Sequence, residues 1–293
     1  MHQVVADVRA VDRRAAAPAL AAHLAEDHPA GLADAVVKLI NNIFSNNYIV
    51  LYFMDTYIQN FDTYSPIYVY NIDLTSGIGD FIKFFMFALS LCIHSKTRLY
   101  YKIQNIELEK YIILKHPKMY ITQPTGVYTD IIPTMYYTTF NNNFAVNITD
   151  VFYFSDQVKI HSHLLFPNTN YISLHIRLGD KFLETDNQFV ICKEDARYFP
   201  ESIYTWIESQ TTPIFLCCDQ NSLKQKIKEK YNHILTTNCS IGHSGLSNTT
   251  PQQILDSVAE FYIISNSKEI YSNAYSGFSS IASKINNIKH TML

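Results

Sequence analysis

Basic charge is scarce in this chain. Lys and Arg total 23 against 26 Asp and Glu, for a formal net charge of −3. The broad positive field that coats nucleic acid is absent, which leaves room only for a local basic pocket, and no nucleic-acid partner is expected. Glycine is also sparse, at 8 of 293 residues, which excludes collagen-like and glycine-rich low-complexity chains. The five cysteines (Cys92, Cys192, Cys217, Cys218 and Cys239) are few, odd in number and never spaced as C-x-x-C. That excludes a disulfide scaffold and gives no support to a zinc ribbon. Cys217 and Cys218 end an apolar run, Pro213-Ile-Phe-Leu-Cys-Cys, and read as reduced core residues. Long apolar stretches are missing too. Tyr48–Met54 stops at Asp55, well short of the roughly 20 residues that cross a bilayer, so no membrane span is expected. No basic segment followed by an apolar core opens the chain. Together with the unpaired cysteines this points to a reducing, cytoplasmic setting.

What is present suffices for a folded core. Hydrophobic residues make up 47% and charged residues 17%, outside the range of disordered chains. The composition changes sharply near residue 40. Residues 1–40 hold 12 Ala and no Asn or Tyr, whereas the rest of the chain holds 6 Ala and is rich in Asn, Ile, Tyr and Lys. Residues 1–62 therefore read as an N-terminal extension, Ala-rich and helix-prone to about residue 40, with Asp34 placed to cap a helix over 35–44.

An α/β rhythm begins at about residue 65. Apolar runs predict strands at Ile67–Asn71, Thr97–Tyr101, Tyr171–Ile176, Pro213–Cys217, Ile234–Thr236 and Lys268–Ser272. Helices are predicted over Phe81–His94, Pro200–Ser209, Asn221–Tyr231, Pro251–Ser265 and Phe278–Ile288. Residues 103–165 carry only short β-like runs among Asn and Thr turns. Strands alternating with helices imply parallel sheets covered on both faces. The pattern divides into 63–165 and 166–293, two Rossmann-like units with a cleft between them. Ligands of such sheets bind beyond the carboxyl ends of the strands, so the loops that follow strands hold the candidate residues.

Three of those loops stand out. His175-Ile-Arg177-Leu-Gly-Asp180 follows a strand, and Arg177 there can offer planar, bidentate hydrogen bonds to a diphosphate. The competing reading is an Arg177–Asp180 ion pair that pins the loop. Ser272-Asn-Ala-Tyr-Ser276-Gly277-Phe278-Ser279-Ser280 joins a strand to a helix, where free amides and hydroxyls form an anion site or simply cap the helix. Ser76-Gly77-Ile78-Gly79-Asp80 is half a dinucleotide fingerprint with Ile82 at the third glycine position, so it reads as a tight strand–helix turn rather than that motif.

In order and spacing these segments resemble fucosyltransferases. Ser76–Ser90 resembles the GG[LI]GNQ opening of α-1,2-fucosyltransferases. His175–Lys181 resembles their HxRRGDY motif and the HxRRTDK motif of the α-1,6 branch. Glu260-Phe-Tyr-Ile-Ile-Ser265 followed by Ser276–Ser279 resembles their C-terminal serine block. The resemblance implies a GT-B glycosyltransferase that transfers L-fucose from GDP-fucose to a sugar hydroxyl of a glycan acceptor, with inversion and no metal or other cofactor. The absence of an Asp-x-Asp pair agrees with a metal-free donor site.

It further implies that Arg177 meets the leaving diphosphate, with His175 and Asp180 beside it. Glu260 would accept hydrogen bonds from the guanine, with Asp256 one turn earlier as its rival. Ser276, Phe278 and Ser279 would line the donor, and Gly77 and Gly79 would face the cleft. Glu184 matches the offset at which the α-1,6 branch carries its base, with Asp180 and Asp186 as alternatives. Leu178 stands where the family has a second Arg, and Asp80 where it has Asn. A non-catalytic nucleotide-sugar or carbohydrate-binding protein on the same fold, and an enzyme using another nucleotide sugar, are the alternatives.

Overall fold

A computed structural model of the chain describes residues 54–71, 77–131, 144–179, 196–239, 241–245 and 249–293. The capped helix expected over 35–44, Asp180, Glu184, Asp186 and Cys192 lie outside the described residues.

The expected parallel α/β pattern is present. The first sheet has four strands in the order β4-β2-β1-β5, all parallel. They are β1 (Ile67–Tyr70), β2 (Arg98–Lys102), β4 (Tyr120–Ile121) and β5 (Thr129–Ile131). The second has five parallel strands in the order β11-β10-β7-β8-β9. They are β7 (Ile172–Ile176), β8 (Ile214–Cys218), β9 (Ile234–Leu235), β10 (Glu269–Ser272) and β11 (Lys289–Met292). A small antiparallel pair, β3 (Ile112–Leu114) with β6 (Phe152–Phe154), accounts for part of the irregular 103–165 stretch.

Helix α1 (Met54–Asn60) opens the described chain. Sequence composition assigned it to the loose extension, yet it packs into the first unit. The Tyr57 hydroxyl donates to the Thr97 carbonyl and accepts from the Leu99 amide, each at 2.9 Å, and Phe61 is fully buried. Helix α2 (Ile78–Ser95) begins at Gly77 in extended conformation and stops at Lys96, whose left-handed φ of 53° turns its amide back onto Cys92 and Ile93. Its 18 residues average 1.4 in hydropathy, enough by length and composition to cross a membrane, but 72% of them are buried within the protein. A helix that is apolar on nearly all sides belongs at the centre of a fold, and α2 sits there.

Short helices α3 (Leu108–Tyr111) and α4 (Ile148–Val151) precede the strands of the antiparallel pair. Helix α5 (Asp156–Leu165) lies against α8 (Pro251–Ser265), while α6 (Ser202–Ser209) and α7 (Asn221–Lys230) flank β8 in sequence. Helix α8 starts with a reciprocal capping box between Thr250 and Gln253. Helix α9 (Gly277–Ile285) packs on both α8 and α2.

Strands β7 and β8 are buried at every position, as expected of parallel strands covered on both faces. Ile172, Leu174 and Ile176 point to one core with Ile203, Ile207, Leu216 and Ile227. The opposite face joins a larger cluster that runs without a break from Tyr70, Phe81 and Phe85 through Phe261 and Ile281 to Phe215 and Ile270. The two sheets therefore share one apolar interior, closed by α2, α8 and α9.

Candidate functional site

Strand alternation builds the site from β7 outward. With Leu174 and Ile176 turned into the smaller core, His175 faces the other way and lies tilted against the Phe278 ring, centroids 5.1 Å apart. Phe278 is held in turn by an edge contact with Phe261 at 5.0 Å. Burial pushes the His175 imidazole down to about 3, helped by the nearby charges of Arg177, His290 and Arg197. It is therefore neutral at physiological pH. Among the described residues its Nδ1 and the Ser279 Oγ are buried with no hydrogen-bond partner. Buried polar atoms of this kind are normally satisfied, and these two lie in contacting segments.

Arg177 comes next, at the carboxyl end of β7. Its amide donates to Asn273 Oδ1 at 2.8 Å, and Asn273 Nδ2 donates back to the Arg177 carbonyl at 3.0 Å. Its guanidinium pairs with Asp219 at 3.1 Å. Asp219 follows β8 and also accepts from the amides of Leu178 (2.9 and 3.0 Å) and Gly179 (3.0 Å). Gly179 has φ of 107°, a conformation that only glycine adopts readily. Burial pushes the Asp219 carboxyl up, against the pull of Arg177 and the amides. The expected loop-pinning carboxylate, Asp180, lies outside the described residues, and Asp219 holds the described part of this loop.

The serine block reaches the same point. The Ser276 hydroxyl accepts from the Phe278 amide at 3.3 Å and caps α9. The start of α2 abuts the start of α9: a Cβ on Gly79 would fall 2.3 Å from the Gly277 carbonyl carbon and oxygen and 2.7 Å from the Phe278 nitrogen. A Cβ on Gly277 would come within 3.0 Å of Asp80 Oδ1, and one on Gly77 within 3.4 Å of His243 Nε2. Two helix N-termini thus converge near His175, which contacts Phe278 in the first turn of α9. Their aligned peptide dipoles favour negative charge.

Glu260 sits elsewhere, fully buried. Lys224 Nζ lies 3.1 Å from its Oε1, Thr237 Oγ1 donates to that same oxygen, and Cys217 Sγ donates to Oε2 at 2.9 Å. Although burial opposes its charge, Lys224 is raised above the usual lysine value by Glu260. The carboxylate expected to read a base is engaged on both oxygens by internal partners. Its rival Asp256 accepts from Gln252 at 2.8 Å and pairs with His161 at 2.7 Å. The described cysteines Cys92, Cys217, Cys218 and Cys239 are buried and free, and burial raises each thiol pKa. Among the described residues no group of three or more His, Cys, Asp or Glu converges as a metal site would.

Sequence patterning missed Asp219 and named Asn273 only as part of the loop after Ser272, with no role; both directly follow strands, where ligands of parallel sheets bind.

The neutral His175 has a measurable consequence. The unfolded chain binds a proton at this side chain near 6.5, the folded chain only near 3. Stability contributed here is complete above pH 6.5 and is lost as pH falls below it, by up to about 1.4 kcal/mol per pH unit. Urea midpoints measured from pH 4 to 7.5 should climb more steeply in the wild type than in His175→Gln. Parallel slopes would place the imidazole in water. His290, lowered by burial and Lys284, contributes a residual slope of the same sign to both proteins.

No family model matches the chain, and no curated protein matches it in sequence. Among solved structures, a NodZ α-1,6-fucosyltransferase soaked with GDP-fucose is similar at 8% identity and a TM-score of 0.48, over 74% of this chain and 92% of that one. A variant of FUT1 from Arabidopsis thaliana, in complex with GDP, is similar at 11% identity and a TM-score of 0.47, over 82% of this chain and 74% of that one. The fucosyltransferase NodZ from Bradyrhizobium gives 8% identity and a TM-score of 0.43 over 74% of this chain and 92% of that one. The chain is a mixed α/β protein with parallel sheets, and its described residues gather three separate strand–helix loops at one site.

Proposed function

We propose that this protein is a GT-B glycosyltransferase that takes L-fucose from GDP-fucose and places it, with inversion and without a metal, on a sugar hydroxyl of a glycan. The supporting observation is convergence. Segments some 100 residues apart in sequence, at Gly77–Gly79, His175–Arg177 and Ser276–Ser279, meet around paired helix N-termini and unpartnered buried polar atoms. In this reading the 63–165 unit faces the acceptor and the 166–293 unit holds the donor.

The chemistry follows from charge. The acceptor oxygen attacks the anomeric carbon, the bond from that carbon to the phosphate oxygen breaks, and the electron pair leaves with the diphosphate. Arg177 and the amides that open α2 and α9 meet that developing charge. Neutral His175 adds a hydrogen bond at Nδ1, and Ser279 adds its hydroxyl. Ser276 and Phe278 shape the wall, while Gly77 and Gly79 keep side chains out of the cleft. Glu184 takes the acceptor proton, and Asp180 contributes to donor binding.

Thermal denaturation in EDTA with GDP, GDP-fucose, UDP and CDP tests this reading. At 100 times its dissociation constant a ligand stabilises by about 2.7 kcal/mol. Guanine nucleotides should raise the wild-type melting temperature, and Arg177→Ala should erase that rise. Because Arg177→Ala also strands Asp219, the quantity compared is the ligand-induced shift rather than the melting temperature itself. Preference for UDP or CDP would reassign the donor, and no response to any nucleotide would refute a nucleotide-sugar site. Transfer of fucose to any screened acceptor separates an enzyme from a binding protein.

A further inference from the structure

The first sheet carries a polar row of its own at its carboxyl edge. Asn71 follows β1, Gln104 follows β2 and Asp130 lies one residue before the end of β5. These strands are neighbours, with β1 between the other two. Asn71 Nδ2 donates to Asp130 Oδ1 at 2.6 Å, and Gln104 Nε2 donates to Asn71 Oδ1 at 3.4 Å. Side chains from three separate strands thus stand in line.

Hydrogen bonds hold the backbone beneath them. The Asn71 amide donates to the Ile131 carbonyl at 3.0 Å. Glu109 clamps the turn that carries Gln104. Its Oε1 accepts from the Gln104 amide and the Tyr101 hydroxyl, each at 2.9 Å, and its Oε2 accepts from the Ile106 amide at 3.2 Å. Within that turn Asn105 takes a left-handed φ of 59°, which Asn tolerates better than most residues. Asp130 is exposed, and Asn71 and Gln104 are half-buried. Asp130 Oδ2 and Gln104 Oε1 have no protein partner among the described residues, and each amide nitrogen keeps a second N–H.

Chemistry selects what such a row can hold. A hydroxyl both donates and accepts, so adjacent hydroxyls of a sugar ring match a carboxylate and two amides in line. The Asp130 charge repels a phosphate. A lone carboxylate is too little for a divalent cation, and among the described residues no acidic or imidazole group joins it in a metal-like cluster. Position agrees, since ligands of parallel sheets bind beyond the carboxyl ends of the strands. Gly77, at the start of α2, comes six residues after Asn71, so the chain itself keeps the row within about 20 Å of it.

We propose that Asp130, Asn71 and Gln104 bind neighbouring hydroxyls of a pyranose ring, the sugar that accepts transfer. As an acceptor subsite the row rests on the glycosyltransferase reading above; as a sugar site it does not.

Saturation-transfer NMR of the full chain with methyl β-D-galactopyranoside and methyl β-D-glucopyranoside, with and without GDP, tests the assignment in wild type, Asp130→Asn and Gln104→Ala. Asp130→Asn keeps an oxygen for Asn71 Nδ2 but removes the outward-facing charge. Its melting temperature should match the wild type, while its glycoside dissociation constant should rise about tenfold or more. Gln104→Ala should weaken the glycoside about 2–10-fold. If Asp130→Asn binds glycosides like the wild type, the row only ties strand ends together and the proposal fails. It fails equally if neither glycoside receives saturation from the wild type; GDP binding in that same sample leaves the nucleotide-sugar reading standing. Asp130-dependent glycoside binding by a protein that binds no GDP upholds the sugar site and overturns its role as an acceptor subsite.

Discussion

Lys224→Met should cost about 3–5 kcal/mol of folding stability, a drop in melting temperature on the order of 10 °C. Lys224 Nζ and Glu260 Oε1 lie 3.1 Å apart with both side chains at 0% exposure, so the substitution leaves a carboxylate buried without its cation. Thr237 and Cys217 still donate to that carboxylate, but neither carries charge. The double variant Lys224→Met/Glu260→Leu should recover most of the loss, because desolvating two ions consumes most of what their attraction returns. Guanidinium denaturation of both proteins checks this. Equal stability of wild type and Lys224→Met would mean that water reaches the pair. The same experiment bears on nucleotide recognition. If Glu260 reads guanine, Glu260→Gln should change base preference, whereas a purely internal role changes stability and leaves base preference alone.

Gly79→Ala should be nearly as damaging. Alanine ordinarily stabilises a helix over glycine by up to about 1 kcal/mol. Here the new methyl would sit 2.3 Å from the Gly277 carbonyl group and 2.7 Å from the Phe278 amide. Main-chain atoms cannot rotate aside as a side-chain tip does, so the loss should reach or exceed about 3 kcal/mol, the upper end for overpacked sites. Gly77→Ala is the internal control. Gly77 has φ of −74°, and its Cβ would meet only the His243 ring, at 3.4 Å. It should change stability by less than about 0.5 kcal/mol. Similar behaviour of the two variants would mean that α2 and α9 stand further apart than described.

Much of this architecture was legible because periodicity and burial agree. The helix expected at Pro251–Ser265 forms over those residues, with its capping box, and the strands at 67, 171 and 213 lie where their apolar runs placed them. Other elements were hidden for physical reasons. Strand β11, Lys-His-Thr-Met, has no apolar run and exists because β10 offers it a parallel edge. Helix α1 falls in the segment read as an N-terminal extension, and its place is fixed by Tyr57 bonding across to residues 97 and 99. At the site, types that follow strands were readable, as with Arg177. Pairings were not: the partner of Arg177 lies 42 residues away, and Lys224, which faces Glu260, lies 36 residues before it.

The glycine contact also fixes how the molecule can move. Backbone pressed on backbone has no compressible layer between, so the starts of α2 and α9 resist closer approach. Any rocking of one sheet against the other then turns about Gly79 and Gly277 as a fulcrum. Atoms close to a fulcrum travel least. Phe278 and His175, beside that contact, keep their spacing through such a rotation, while the far ends of both sheets sweep the longest arc.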